Sequence, residues 1–164
     1  MWEGSERVVV TASPEAVWVI ITDVARHPDL AGSGEIASIR LDGPVALGSK
    51  WEADIRVPGL DEPFVARSEV LVFDHPREFS WSSEPPPMVD GEPRSAPHVT
   101  WWFRLSPHAE GTVVDHAFRV VEPQVGADEL TEFFESTNRV DSILAGMRQT
   151  LTNLKAAAER ASPA

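Results

Sequence analysis

The sequence contains no cysteine, and this absence removes a whole group of chemistries. Without a thiol, the chain cannot form a disulfide, a thiolate metal site or a cysteine nucleophile. Basic residues are also scarce, since 14 Lys and Arg stand against 26 Asp and Glu and leave a formal charge of −12. That charge repels nucleic-acid phosphates and anionic lipid head groups, so we expect neither nucleic acid nor a membrane as a partner.

Long hydrophobic runs are missing as well. No run approaches the length of a membrane span, and residues 1–6 lack both the basic and the apolar region of a signal peptide. We therefore expect a cytoplasmic protein. A chain of 164 residues with 42% hydrophobic content is typical of one soluble globular domain, which we place at residues 1–164, and is long enough to bury a core.

The motifs of metal, nucleotide and serine chemistry are not found either. The five histidines show neither the His-Glu-x-x-His spacing nor a carboxylate partner at helical spacing, which argues against a metal site. No stretch matches a phosphate-binding or dinucleotide fingerprint, and residues 32–34 are too short for a nucleophile elbow. We therefore predict no metal and no cofactor. The histidines are His27, His75, His98, His108 and His116.

What the sequence does contain is one long helical pattern near its end, at residues 128–160. Its apolar residues recur at three- and four-residue steps and fall on one broad stripe. This stripe needs a surface to bury it, and the only candidate of sufficient size is the set of short strands upstream. The pattern predicts a sheet folded around a helix, with function between the two. The stripe consists of Leu130, Phe133, Phe134, Val140, Leu144, Met147, Leu151 and Leu154.

Upstream of this helix, apolar and polar residues alternate with the period of two expected of strands with one buried face. Residues 13–15, Ser-Pro-Glu, provide a capping side chain, a proline at the first helical position and an acid in the first turn, which predicts a short helix after the first strand. Leu71 and Phe73 blur the alternation and predict either a bulge or a strand end that is apolar on both faces. The clearest predicted strands are residues 7–11, 50–57, 62–74, 78–83, 98–105 and 111–121.

Several local features occur in one order along nearly the whole chain. They are the run Ser-Pro-Glu-Ala-Val-Trp at residues 13–18 with Asp23 and Pro28, the turn around Gly48, the strand pair that closes on Pro107 and Gly111-Thr112, and the helix end from Leu151 to Lys155. Together with the order of strands and helices, this set resembles the START-like superfamily. More narrowly, the chain is similar to the polyketide cyclase/dehydrase-type bacterial members, often called SRPBCC proteins.

The resemblance implies an α+β helix-grip fold. In that fold, a curved antiparallel sheet of about seven strands wraps around the long C-terminal helix, and two short helices after strand 1 close one end. A cavity between sheet and helix holds an apolar ligand in the members whose ligand is known. Two departures from the family pattern lie where we expect the cavity mouth. Asp29-Leu30 stands where many relatives have a Trp, and the proline-rich loop at residues 84–97 is longer than usual and forms either a lid or a surface connection. The ligand's identity is therefore not carried over.

The candidate ligand site is a set of large side chains that we expect to point inward. Rings of this size either fill a core completely or leave gaps that bind flat or lipid-like molecules. The residues alone leave both alternatives open, and the resemblance favours a cavity. The candidate ligand-binding residues are Trp51, Ile55, Trp81, Trp101, Phe103, His116, Phe118, Phe133, Phe134 and Thr137.

Two titratable residues are the candidates for proton transfer. His116 is expected on an inward strand face, where it would hydrogen-bond a ligand carbonyl, move a proton, or satisfy a neighbouring backbone or carboxylate group in the core. Thr137 and Asp141 interrupt the apolar stripe, so that its first half would form a cavity wall and its second half, from Leu144, would dock as core. Alternatively, Asp141 reaches outward and pairs with Arg148.

Two functions of different classes are consistent with these patterns. The first is binding of a small hydrophobic molecule, such as a polyketide, a lipid or a similar metabolite; if the protein is an enzyme, the resemblance suggests cyclisation or dehydration, with His116 or Asp141 transferring a proton. The alternative is an interaction module similar to chaperone activators, with a filled core, no ligand and an exposed Trp102 as its contact. We expect a monomer or a homodimer.

Overall fold

The computed structural model describes residues 2–84, 98–121 and 127–161, and within these ranges the chain forms seven strands and four α-helices. No helix in these ranges is long and apolar enough to cross a membrane. Apart from Glu84, the loop predicted at residues 84–97 lies outside the described residues. The strands are β1 (Trp2–Val10), β2 (Ile36–Arg40), β3 (Lys50–Ile55), β4 (Phe64–Asp74), β5 (Glu78–Glu84), β6 (His98–His108) and β7 (Gly111–Val121). The helices are α1 (Pro14–Ile21), α2 (His27–Leu30), α3 (Ala127–Ser136) and α4 (Arg139–Ala161).

All seven strands form one open, curved antiparallel sheet in the order β1-β7-β6-β5-β4-β3-β2, with β1 and β2 at its edges. The short helices after β1 and the long α4 complete the predicted α+β architecture, which is confirmed. The predicted bulge in β4 is also confirmed, because its register with β5 shifts between Val70 and Val72. β1 begins at Trp2 rather than at Arg7, since its pairing with β7 extends as far as Val120.

The sequence signals at the first helix act as expected. Ser13 is the N-cap of α1, and its hydroxyl accepts a hydrogen bond from the Ala16 N–H at 3.2 Å. Pro14 occupies the first turn, where its missing N–H leaves no partner unsatisfied. The side chains of Val17 and Ile21 are fully buried, so α1 covers one end of the sheet with its apolar face.

The single helix predicted at residues 128–160 is in fact two helices, and that prediction was wrong. α3 and α4 are separated by Thr137 and Asn138. Asn138 has a φ of 48°, a left-handed conformation that an α-helix does not contain and that Asn tolerates better than most residues. Thr137 donates both its hydroxyl, at 2.6 Å, and its backbone N–H, at 3.2 Å, to the carbonyl oxygen of Phe133, which closes the last turn of α3.

Polar contacts fix α4 against the segment between α2 and β2. At the start of α4, the Arg139 guanidinium forms a bidentate ion pair with Glu35, and the two side chains are only 11% and 14% exposed. Further along, the Thr150 hydroxyl accepts from the Gly32 N–H at 2.9 Å. Gly32 lies so close to α4 that a Cβ there would be 2.3 Å from the Cβ of Gln149. The helix therefore has a fixed position over the sheet.

The buried apolar side chains form two separate clusters. The first includes Leu151 and Leu154 of α4 and the inner residues of α1, while the second includes Ile143 and Met147 of α4 together with Phe134 of α3. The terminal stripe is thus divided along its length, but not at Leu144 as its composition predicted, because Leu144 and Met147 belong with Phe134 to the second cluster. Each half of α4 covers a different part of the sheet.

Candidate functional site

The inner face of the sheet carries two adjacent rows of rings that cross β5, β6 and β7. Members of one row occupy directly opposed positions on neighbouring strands, where side chains are close enough to contact each other. The rows are Phe79, Phe103 and His116, and beside it Trp81, Trp101 and Phe118. The structure thereby brings together five of the ten predicted ligand residues, and it adds Phe79, which is fully buried.

His116 is the polar member of this surface, and it is only 5% exposed. Its ring stacks on Phe103, with the centroids 4.0 Å apart and the planes inclined by 8°. Its Nδ1 lies 3.0 Å from the backbone carbonyl oxygen of Trp102. Because a carbonyl can only accept, Nδ1 carries the hydrogen and donates it. The backbone of β6 therefore determines the tautomer of His116.

The surroundings of His116 keep it neutral. Burial lowers its pKa to about 4, because apolar neighbours disfavour the charged ring; the bond to the Trp102 carbonyl raises the pKa, and positive charge on His27 lowers it. At neutral pH the Nε2 atom carries no hydrogen and acts only as an acceptor. His116 therefore cannot donate to a ligand carbonyl, which was one of the roles expected for it, and its Nδ1 satisfies a backbone group instead.

The Nε2 atom of His116 borders accessible space. Within the described part of the chain, His116 makes no hydrogen bond other than that of Nδ1, and no fully enclosed side-chain nitrogen or oxygen lacks a partner. It follows that Nε2 is not completely enclosed by protein atoms. The rings around it are Phe103 and those of Trp101 and Trp81, whose centroids lie 6.1 and 6.5 Å from the imidazole.

His27 is a second buried histidine, which the sequence analysis did not single out as a site residue. Its Nε2 lies 2.8 Å from the carbonyl oxygen of Ile21, and its ring centroid is 5.4 Å from that of Trp81. Burial is the main influence on its pKa and lowers it. Val24, His27 and Leu30 recur at three-residue steps and are all buried, so helical spacing was the signal that could have placed His27 inside.

The predicted ligand residues near α3 form a group of their own. Phe134 stacks on Trp2 with a centroid distance of 4.4 Å, and Phe133 meets Phe134 edge to face at 6.1 Å. A Cβ added to Gly59, between β3 and β4, would lie 3.1 Å from the Thr137 methyl carbon. These contacts connect α3 with β1 and with the β3–β4 connection. Trp2 escaped prediction because β1 was expected to begin later.

The two remaining predicted ligand residues lie on β3. Trp51 is 5% exposed and belongs to the first hydrophobic cluster. Ile55 is half-buried at the end of the strand, opposite Phe64. Both share the inward parity of the ring rows but lie several strands away from His116.

Asp141 does not join the buried site. Its side chain is exposed at the start of α4, so it does not form part of a buried wall. Arg148, the alternative partner, donates its Nε to a Glu6 carboxylate oxygen at 2.9 Å instead. Glu6 is the residue of β1 that pairs with His116 of β7. This ion pair connects α4 with the edge strand.

The outer face of the sheet offers less than the sequence suggested. Trp102, which was expected to be exposed, is half-buried, and the Arg104 guanidinium lies over its ring at 5.1 Å from the centroid. An open groove of about 600 Å³ lies at the β2–β3 edge, where its two basic side chains are already paired with carboxylates. Its lining residues are Ile39, Arg40, Leu41, Asp42, Ser49 and Lys50.

Comparison with known proteins places these features in a family. Residues 1–159 match the family described as "Polyketide cyclase / dehydrase and lipid transport". No curated protein matches the sequence significantly. Among solved structures, the fold is similar to StfQ, a di-domain ARO/CYC from the steffimycin biosynthetic pathway, with a TM-score of 0.70, 14% identity and coverage of 97% of this chain and 51% of StfQ.

Two other structures show the same likeness. BexL, a di-domain ARO/CYC from the BE-7585A biosynthetic pathway, has a TM-score of 0.65 and 17% identity, with 99% of this chain and 51% of BexL covered. Protein MLL2253 from Mesorhizobium loti has a TM-score of 0.63 and 15% identity, with 99% and 100% covered. This chain thus spans about half the length of the two di-domain proteins. At such identities, these likenesses concern the fold alone.

Proposed function

This chain belongs to the polyketide cyclase/dehydrase and lipid transport family, and on that premise we propose that it binds a small hydrophobic molecule between the inner face of its sheet and its C-terminal helices. The proposal rests on the acceptor nitrogen of His116, which lies among aromatic rings and has no hydrogen-bond partner in the described part of the chain. A pocket with aromatic walls and few polar groups is the usual environment of such ligands.

The division of the core supports the same location. The first hydrophobic cluster contains Phe103, and the second contains Phe118, two residues beyond His116 on β7. His116 therefore lies where the two clusters meet. Its ring stacks on Phe103 of the first cluster and on Trp101 of the second, so a ligand beside the imidazole would contact both clusters.

The polar groups of the site suit binding better than acid–base catalysis. With a pKa of about 4, His116 is a weak base at neutral pH, whereas an efficient general base has a pKa near the operating pH. The indole N–H of Trp81 has no hydrogen-bond partner in the described part of the chain, and it is the group that would donate to a ligand carbonyl. We therefore place cyclisation or dehydration second to binding.

Native mass spectrometry of the purified protein, before and after extraction with organic solvent, tests the proposal. We expect a small apolar molecule to co-purify and to be lost on extraction. The extracted protein should then gain thermal stability with members of a hydrophobic metabolite panel, by roughly 5 to 10 °C at one hundred times the Kd. The absence of both a bound mass and any rise in Tm would contradict ligand binding.

A further inference from the structure

Two buried imidazoles border the ring of Trp81. The centroid of His27 lies 5.4 Å from the Trp81 ring and that of His116 lies 6.5 Å from it. One histidine comes from α2 and the other from β7, so the fold brings them together from distant parts of the sequence. They are 6% and 5% exposed, respectively.

Both rings have their one N–H held by the backbone. The Nδ1 of His116 donates to the Trp102 carbonyl at 3.0 Å, and the Nε2 of His27 donates to the Ile21 carbonyl at 2.8 Å. The second nitrogen of each neutral ring is then an acceptor without a hydrogen. It lies on the far side of the ring from the backbone group that orients it.

Both second nitrogens lack a protein partner. Neither histidine makes a further hydrogen bond within the described part of the chain. Every fully enclosed side-chain nitrogen or oxygen there has a partner, so the two second nitrogens are not among the fully enclosed atoms. The nearby carboxylates are engaged elsewhere, because Glu6 accepts from Arg148 and Asp23 lies 3.7 Å from Arg26 on the surface. Since burial lowers the pKa of both imidazoles, the two acceptors stay neutral.

We propose that His27 and His116 form an acceptor pair that selects ligands carrying hydroxyl or N–H donors. This inference rests on the proposed function, and it specifies which hydrophobic molecules the site prefers. A ligand that offers only ethers, esters or hydrocarbon leaves both nitrogens unpaired after it displaces water, and an unpaired buried acceptor weakens binding. A ligand with a phenol, an enol or an amide N–H satisfies them.

A pair of flat probes tests this selection. The extracted full-length protein is titrated with a dihydroxynaphthalene and with its dimethyl ether, and binding is followed by isothermal titration calorimetry. The two probes share a ring system and differ in whether their oxygens can donate. We expect the diol to bind wild type about 25-fold more tightly than the ether, which is about fivefold for each of two hydrogen bonds.

Matched variants assign the preference to the two histidines. An Asn side chain at position 116 can still donate to the Trp102 carbonyl, and a Gln side chain at position 27 can still donate to the Ile21 carbonyl, but both lack the second ring nitrogen. His116→Asn and His27→Gln should each weaken the diol about fivefold and leave the ether unchanged. His116→Phe, which keeps the stacked ring, is a second variant in case the His116→Asn protein folds poorly. His108→Asn, at an exposed histidine, is the control.

The outcomes separate this inference from the function on which it rests. Equal affinity of diol and ether for wild type, or a preference that is undiminished in both variants, would overturn the acceptor pair while leaving ligand binding intact. If neither naphthalene binds wild type and no metabolite raises its Tm, then the proposed function fails and the acceptor pair fails with it. A preference for the diol that falls about fivefold in both His116→Asn and His27→Gln, but is unchanged in the control, supports the pair.

Discussion

Replacing His116 by Asn should change how the stability of the protein depends on pH. In the folded protein, burial lowers the pKa of His116 from 6.5 to about 4, whereas the unfolded chain keeps the ordinary value. Between these two pH values the unfolded state binds a proton that the folded state does not bind. The contribution of the neutral His116 ring to the free energy of unfolding is therefore fully present above about pH 6.5, and it is lost as the pH falls toward 4.

The size of the effect follows from the two pKa values. The full difference, from 6.5 to about 4, corresponds to about 3 kcal/mol of unfolding free energy. Most of this free energy is lost at pH values where His116 in the folded protein is still neutral. The free energy of unfolding therefore falls by about 2 kcal/mol between pH 7.5 and pH 5. His27 changes stability in the same direction, but it is present in both proteins and cancels in their difference.

Urea unfolding followed by tryptophan fluorescence measures this difference. Wild type and His116→Asn are unfolded at several pH values from 7.5 to 5, with His108→Asn as the exposed control. At pH 7.5 the variant should be less stable, because it loses the ring that stacks on Phe103 at 4.0 Å. As the pH falls, wild type should lose about 2 kcal/mol more than the variant, so that the gap between them narrows.

A gap that stays constant across this range would refute the reasoning. It would mean that His116 has the same pKa in the folded and unfolded chains, and hence that it is not held neutral by burial. The His108→Asn control should follow wild type at every pH. A change in the control would show that the effect comes from removing any histidine and not from the buried one.

Substitutions at Gly111, at Asn138 and in the Arg139–Glu35 ion pair test the fold around the site by urea unfolding. Gly111→Ala should cost about 3 kcal/mol or more, because the residue has a φ of 143° and a Cβ there would lie 2.3 Å from the Val10 carbonyl oxygen; a smaller loss would mean that the hairpin relaxes. Asn138→Ala should cost about 1 kcal/mol and Asn138→Gly almost nothing, since the position is left-handed; equal effects would contradict a break there. Arg139→Met should cost about 3 kcal/mol by leaving Glu35 buried without its partner, and Glu35→Gln combined with it should recover part of that loss.

The sequence predicted the architecture because its apolar residues recur at the same spacing as the residues that the fold buries. The alternation on β7 placed His116 and Phe118 on one face, and both are buried. The cap at Ser13 and the bulge near Val70 were predictable because short-range backbone chemistry produces them. The break at Asn138 was not, because a single Asn within an amphipathic stripe changes the apolar period very little, while its left-handed φ depends on the surrounding packing.

The site was predictable only in part. Strand parity identified which rings point inward, but pairing partners depend on register between strands, which no local pattern contains. The spacing of Val24, His27 and Leu30 indicates that His27 is buried, but the orientation of both imidazoles depends on backbone carbonyls that belong to other elements, which no local pattern contains. Asp141 interrupts the apolar stripe as a cavity residue would, but it lies at the start of α4 and faces solvent.

The two histidines are costly residues for a purely structural purpose. A phenylalanine at position 116 could stack on Phe103 equally well, and it would remove the acidic loss of stability that a buried imidazole introduces. The hydrogen bonds from the rings to backbone carbonyls do not fully explain why histidine occupies both positions. These bonds orient the rings but do not use the second nitrogen of either ring. A structural account therefore leaves the second nitrogen of each ring, one on α2 and one on β7, without a partner. A bound ligand that donates hydrogen bonds would supply that partner.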